Sequence, residues 1–182
     1  MSFPWKTLIA THAAVSVLAL SMWVDPPPKL IWNASASTPV GLYVIDDSGP
    51  LDLTALVAVN APEPLATFLS DGGYLPRGTP LLKRVAALPG QRVCRNGLAI
   101  TVDGVAIGDA LDRDRRGRPL PVWTGCRVVA ERELFLMNWE VRDSLDGRYF
   151  GPLPTASVIG RATPLYTDED GDGRFVWRAP TR

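Results

Sequence analysis

Residues 81–106 read LLKRVAALPGQRVCRNGLAITVDGVA. Short aliphatic runs are broken by Pro89-Gly90, Asn96-Gly97 and Asp103-Gly104, at intervals too close for helices and suited to strands and turns. Glycine adopts a positive φ without a Cβ clash, so these pairs favour the tight turns that join antiparallel strands. The stretch predicts strands at 81–87, 92–94 and 99–102, with a hairpin-like region over 93–106. The same punctuation continues on both sides, at Gly41, Pro50, Gly78, Pro80 and Gly117. Further strands are expected at 41–45, 56–60, 133–138 and 157–164, and only 61–70 looks helical. No repeat runs through the sequence. The fold class is mainly β, with a small accessory β subdomain at about 91–132.

The chain has 182 residues, enough for one globular domain with its own core. Its 19 basic and 19 acidic side chains cancel, which excludes the basic excess of a general nucleic-acid binder. A charged fraction of 21% also excludes the composition of a disordered chain. Histidine occurs once, as His12 inside an N-terminal apolar run. Neither a Ser-His-Asp triad nor a His-rich zinc site can therefore form in the rest of the chain, and no metal or cofactor is expected. Any nucleophile must use another base. The 19 cations divide into 16 Arg and the lysines Lys6, Lys29 and Lys83, of which only Lys83 lies beyond residue 30.

Residues 7–24, TLIATHAAVSVLALSMWV, carry no Asp, Glu, Lys or Arg. As a helix they rise about 27 Å, close to the hydrocarbon thickness of a bilayer. A membrane anchor over 1–24 is expected, with a cleaved secretory signal ending near Ala19-Leu20-Ser21 and a buried core helix as the alternatives. Lys6 before the span and Asp25 after it orient the N-terminus to the cytoplasm, so the remainder faces outward. Trp5 and Trp23 fall near the two ends, where indoles favour the lipid interface. Pro26-Pro27-Pro28 stops the helix, and a short stalk over 25–36 keeps the following segment near the membrane.

Cys94 and Cys126 are too far apart for a CxxC motif. An exported pair suggests a disulfide, with two unpaired buried thiols as the alternative. The run DRDRRGRP, residues 112–119, reads as a solvated loop. Residues 168–173, DEDGDG, match the first half of a calcium-binding EF-hand loop. Ala179 stands where its bidentate Glu would be, so an acidic turn is expected instead.

In a strand at 81–86, Leu81, Lys83 and Val85 share one face, and Leu82, Arg84 and Ala86 share the other. Burial among aliphatic groups disfavours the ammonium, and a fall of two to three pKa units would make Lys83 a usable base near pH 8. Arg84 cannot serve, since guanidinium does not deprotonate. The alternative is a lysine that reaches solvent from a strand edge. A lysine base needs a hydroxyl, and residues 32–43, WNASASTPVGLY, offer Ser35 and Ser37 among small residues before a Pro39-x-Gly41 turn. The same stretch also reads as a polar linker. A third segment, residues 143–154, is DSLDGRYFGPLP. If extended, it sets Ser144 and Asp146 on one side, with Asp146 and Arg148 spaced to pair; a plain structural salt bridge is the alternative.

In this order the three segments resemble the boxes of the serine-lysine type I signal peptidases. STPVGLY (37–43) is similar to the nucleophile box, LLKRVAALPG (81–90) to the lysine box, and DSLDGRYFGPLP (143–154) to the Ser-x-Asp-x-Arg-Tyr box. The first has Asn-x-Ser-x-Ser-x-Pro-x-Gly-Leu-Tyr in place of Ser-Met-x-Pro, which resembles the TraF-like branch that matures conjugative pilin precursors. Gly147 stands where the family has Ser, and Met137-Asn138-Trp139 replaces its Gly-Asp-Asn-like entry. The resemblance implies a signal-peptidase-like β fold over 37–182, behind a single N-terminal transmembrane helix in the bacterial inner membrane, with the catalytic part on the periplasmic side. Ser37 would be the nucleophile, Lys83 its general base and Ser144 the group that orients the amine. Asp146 and Arg148 would support that wall, and Ser35 would join the Ser37 amide in the oxyanion hole.

The implied reaction is acyl transfer from a pilin-like precursor polypeptide with small residues before the scissile bond. The acyl-enzyme is resolved by water or by the amine at the other end of the same chain. The partners expected are that precursor and inner-membrane lipid, with no nucleic acid. A housekeeping signal peptidase and a non-catalytic exported subunit of a secretion or conjugation apparatus are the competing readings. The single span and the Pro-x-Gly-Leu-Tyr ending count against the first, and the presence of the only lysine beyond residue 30 at the box position against the second.

Overall fold

Glycine and proline divide the chain into short strands that pair side by side. A computed structural model describes residues 4–21, 28–46 and 49–180. Helix α1 (Trp5–Ser21) is followed by β1 (Leu30–Asn33), β2 (Val40–Asp46) and β3 (Leu56–Val59), then by α2 (Leu65–Asp71) and β4 (Leu81–Ala87). Next come β5 (Arg92–Asn96), β6 (Ala99–Val102), β7 (Val105–Asp109), β8 (Gly125–Val128) and β9 (Glu133–Leu136). The chain closes with α3 (Gly147–Phe150), β10 (Leu153–Pro154), β11 (Val158–Asp168) and β12 (Val176–Trp177). The larger antiparallel sheet has the order β1-β2-β11-β3-β4-β9-β10, with β12 on β11, and the smaller has the order β7-β6-β5-β8.

Strand β3 reads Leu-Val-Ala-Val and is buried at every position, because β11 and β4 flank it and both faces are covered. Leu56 and Ala58 pack with Tyr43, Ile45, Leu82 and Ala162 on one face. On the other, Val57 and Val59 pack with Val85, Leu134 and Leu136. Each such Val or Leu contributes roughly 1.5–3 kcal/mol when taken fully out of water. The smaller sheet has one wet and one dry face: Val93, Ile100 and Val102 turn inward onto Phe135 and Met137, which fastens it to the larger sheet beside β9. Cys94 and Cys126 lie directly opposite each other in β5 and β8 and are joined by a disulfide.

The mainly β class holds, and several boundaries differ from expectation. Residues 30–33, read as stalk, form a strand paired with β2 through Ile31–Tyr43 and Asn33–Gly41. Their alternation was hidden by the adjacent polar turn. The 61–70 helix begins late, at Leu65, because Pro62 and Pro64 lack amide donors and restrict the residues before them. Strand β11 continues past Pro164, which sits at a register shift where its missing amide is tolerated. Strands β7 and β8 flank the charged loop, and residues 143–146 form no strand: they lead from a turn at Asp143 to an extended Asp146 that caps α3.

Helix α1 spans 17 residues and is exposed along its length; Ile9 and Leu18 are 62% and 66% exposed. Among the described residues no helix is long and apolar enough to cross a membrane, so the expected span over 7–24 is not seen. Residues 22–24 of that span, Trp23 among them, lie outside the described residues, as do Asp25, Pro26 and Pro27.

Candidate active site

The turn between β1 and β2 carries both serines. Asn33, buried at the end of β1, shares its Nδ2 hydrogens among the carbonyls of Ser35 (2.8 Å) and Pro39 (3.0 Å) and Thr38 Oγ1 (2.8 Å). Carbonyls only accept, so the Asn33 Oδ1 must face Ser35, where it accepts from the backbone amide (3.1 Å) and from Oγ (2.9 Å). Ser35 has thereby spent its one hydroxyl proton, and the 3.1 Å contact between Ser37 Oγ and Ser35 Oγ is donated by Ser37. Tyr43, buried in β2, closes the turn by donating to the Pro39 carbonyl at 2.7 Å. Gly41 is required here: its φ is +147° and an added Cβ would come within 2.3 Å of the Tyr166 carbonyl oxygen.

Lys83 lies in the middle of β4, opposite Val57, and is 4% exposed. Its Nζ donates to Ser144 Oγ at 2.8 Å. Burial pushes the amine down to about 8; the nearby Asp146 carboxylate acts against this and the Arg148 guanidinium adds to it. Behind the lysine, Arg148 and Asp146 form a fully buried pair with two contacts, Nη2–Oδ2 at 2.8 Å and Nε–Oδ1 at 2.9 Å. Arg148 also donates to the carbonyls of Val141 (2.7 Å), Arg142 (3.0 Å) and Ser144 (3.2 Å), which fixes the segment that carries Ser144. Asp146 caps α3 and accepts from the Asn138 amide at 3.0 Å.

Ser35, Ser37, Lys83 and Ser144 line one cavity of about 530 Å³. Asp146 and Arg148 stand behind its wall and do not reach it. Among the described residues, Ser37 Oγ bonds to Ser35 and Lys83 Nζ to Ser144, and no direct Ser37–Lys83 hydrogen bond is formed. The Ser37 amide bonds to no other described group, which leaves it free to donate.

A family model for signal peptidase, peptidase S26, matches residues 3–167. The chain belongs to the signal peptidase S26 family. Within that family it is similar to a conjugal transfer protein TraF of Agrobacterium tumefaciens (strain 15955), 35% identical over 170 residues that make up 88% of this chain and 94% of that protein. A probable conjugal transfer protein TraF of Sinorhizobium fredii is 34% identical over 145 residues, 74% of this chain and 76% of its own. A plasmid transfer protein TraF of Escherichia coli is 30% identical over 147 residues, 74% of this chain and 81% of its own. Among solved structures, a signal peptidase I of Enterococcus faecalis V583 covers 64% of this chain and 98% of its own at 20% identity and a TM-score of 0.38, too distant a likeness to add to the assignment.

Gly147 and Asn138 are both held by their surroundings. A Cβ on Gly147 would meet the Phe135 ring at 2.6 Å and the Leu136 carbonyl oxygen at 2.7 Å, so a serine side chain does not fit here without a shift of its neighbours. Asn138, within the unusual Met137-Asn138-Trp139 entry, ties the two halves of the site together. Its Nδ2 donates to the carbonyls of Ser37 (2.7 Å) and Leu82 (3.1 Å), and its Oδ1 accepts from the Arg84 amide (3.0 Å). Sequence reasoning assigned no role to Asn33 or Asn138. The available signals were an asparagine opening the N-x-S-x-S turn and a polar residue ending the apolar run 134–137.

The remaining sequence features also find their places. Asp168, in the acidic turn, accepts from the amides of Asp172 (3.1 Å) and Gly173 (2.9 Å). The 112–119 run is not simply a solvated loop: Asp114, Arg115, Arg116 and Arg118 line the same cavity as Ser37 and Lys83.

Proposed function

We propose that this S26 family member is a membrane-anchored serine endopeptidase that processes an exported precursor through Ser37 and Lys83. One observation carries the reading: a buried lysine, titrating near 8 and held by Ser144, in the wall of the cavity that Ser37 lines. Neutral Lys83 takes the Ser37 proton after the hydroxyl turns from Ser35 towards the amine. The Ser37 oxygen attacks the scissile carbonyl, and the lysinium protonates the leaving amine. Ser144 occupies one hydrogen of the amine and so orients its lone pair. The free Ser37 amide and the Ser35 hydroxyl, released from Asn33, stabilise the oxyanion. Asp146 and Arg148 hold Ser144 in position.

The resemblance to TraF conjugal transfer proteins supports a pilin-like precursor as substrate, with small residues before the cleaved bond. The apolar side chains of helix α1 are exposed, Ile9 at 62% and Val17 at 66%, which supports residues 1–24 as an inner-membrane anchor, 25–36 as its junction and 37–182 as a periplasmic peptidase domain with an accessory subdomain at about 91–132. The test uses the full chain in membranes with a co-expressed candidate pilin precursor. A penem acylator should add its mass to Ser37, and Ser37→Ala should abolish both the adduct and processing. The product mass separates hydrolysis from cyclisation, which differ by one water. Failure of the adduct and of cleavage together would falsify the peptidase reading.

A further inference from the structure

The 112–119 loop is fixed from within. The Asp114 carboxylate accepts from Tyr74 Oη (2.6 Å), from the amides of Arg116 and Arg118 (both 2.8 Å) and from Arg118 Nε (2.7 Å). Arg118 also stacks over Tyr74 at 4.3 Å and donates to the Gly72 carbonyl at 2.7 Å. Arg115 pairs with Asp143, and Arg113 donates to the Gly117 carbonyl at 2.7 Å. Arg116 is different. Its amide is held by Asp114, yet its exposed guanidinium has no hydrogen-bond or ion partner among the described residues. It lines the cavity of Ser37 and Lys83, where Leu75, Leu111 and Leu145 supply apolar walls. On the other flank of Ser37, a smaller depression of about 290 Å³ is lined by the carboxylates of Glu140, Asp168, Glu169 and Asp170 against one cation, Arg84, a balance that would repel an anion.

We propose that Arg116 is a specificity residue that receives a carboxylate of the peptide substrate, an Asp or Glu side chain or a free C-terminus, close to the cleaved bond. This rests on the peptidase reading and narrows its substrates to chains with an acidic group on the Arg116 side. The loop acts as a charged wall: Asp114 sets the backbone, Arg115 and Arg118 are neutralised by Asp143 and Asp114, and Arg113 is turned to the Gly117 carbonyl outside the cavity lining. Among the lining arginines, Arg116 is left for the ligand. A pair of this exposure should favour the acidic substrate about fivefold.

The experiment uses the full chain in detergent micelles and internally quenched peptides with alanines around the cleaved bond. Glu, Gln or Lys is placed at each position in turn, with a free or amidated C-terminus. The wild type should cleave one Glu peptide about fivefold better than its Gln partner, chiefly through KM, and the preference should shrink as salt is raised. A preference that follows the free C-terminus instead identifies the terminal carboxylate as the ligand. Arg116→Gln should bring the ratio to about one, and Arg116→Glu should invert it in favour of Lys peptides, which a merely structural role would not do. Anisotropy of the same labelled peptides on the Ser37→Ala chain reads recognition without cleavage. Arg116-dependent binding of acidic peptides by a chain that cleaves nothing would leave the carboxylate site standing while the peptidase reading fails. Cleavage or binding without charge preference, or a preference that survives Arg116→Glu, overturns the proposal.

Discussion

Lys83, Ser144, Asp146 and Arg148 are each no more than 4% exposed, whereas Ser35 is open to solvent and Ser37 is half-buried. A lysine is brought into the neutral range by taking it out of water, and that requires a dry wall. The same wall must then hold a carboxylate and a guanidinium, which are tolerated only because they satisfy each other and the surrounding carbonyls. The turn of the proposed nucleophile has the opposite requirement, since in that reading a peptide must reach the hydroxyl. It is secured from below by Asn33 and Asn138, while the serine side chains stay accessible. Deep burial sets the proposed base, and side-chain amides beneath an open turn set the proposed nucleophile.

The contrast breaks most sharply at the base. Lys83→Arg and Lys83→Ala should each lose about 10⁴-fold or more in kcat/KM while still unfolding cooperatively, since neither can accept the Ser37 proton. Wild-type activity should rise with pH through an apparent pKa of about 8, as the buried amine loses its proton. Substantial cleavage by Lys83→Arg would remove the lysine from the mechanism.

Next comes the support of the dry wall. Arg148→Met leaves Asp146 buried without its cation and should cost about 3–5 kcal/mol in urea unfolding. Asp146→Leu combined with Arg148→Met leaves no unpaired charge and should cost less than the single change. A double variant no better than the single would mean that packing, not charge, holds this wall.

On the open side, Ser35→Ala should lower kcat by about 10² to 10³, or 2.7–4 kcal/mol, with little change in KM. Ser35→Thr, which keeps the donor, should retain much of the activity. Equal turnover in the two variants would leave the Ser37 amide as the oxyanion donor.

The burial of the lysine also has a stability signature. Its amine titrates near 8 in the folded chain and near 10.5 unfolded, so between those values the unfolded chain holds more protons and stability rises with pH. The ammonium costs roughly 3 kcal/mol below the lower value and nothing above the higher. Measured against Lys83→Met, the wild type should gain about 3 kcal/mol between roughly pH 7 and pH 11. Parallel pH profiles for the two proteins would show that the amine is solvated.

The smallest effect expected is at Gly147. Restoring the family's serine drives a Cβ into Phe135 and the Leu136 carbonyl and should destabilise by about 1–3 kcal/mol, read as a shift in the denaturation midpoint. A neutral or stabilising result would mean that Phe135 yields without cost.

Local pattern carried much of this protein. Turn dipeptides and aliphatic runs at 81–87, 92–94 and 99–102 announce strands because backbone preference and period-two burial act within a few residues. The lone distal lysine and the serine pair were likewise visible as residue types at definite positions. What local pattern could not contain was the partner of each polar group. Asn138 reaches Ser37 across 101 positions of sequence, and Lys83 reaches Ser144 across 61. Arg148 was legible as a partner of Asp146, but the burial of both was not; the arginine run looked like a solvated loop and lines the cleft. Turns and strands follow from short-range sterics, which sequence order records directly. Burial of a charge and the pairing that makes it tolerable depend on which distant strands pack together, and only the tertiary structure decided that.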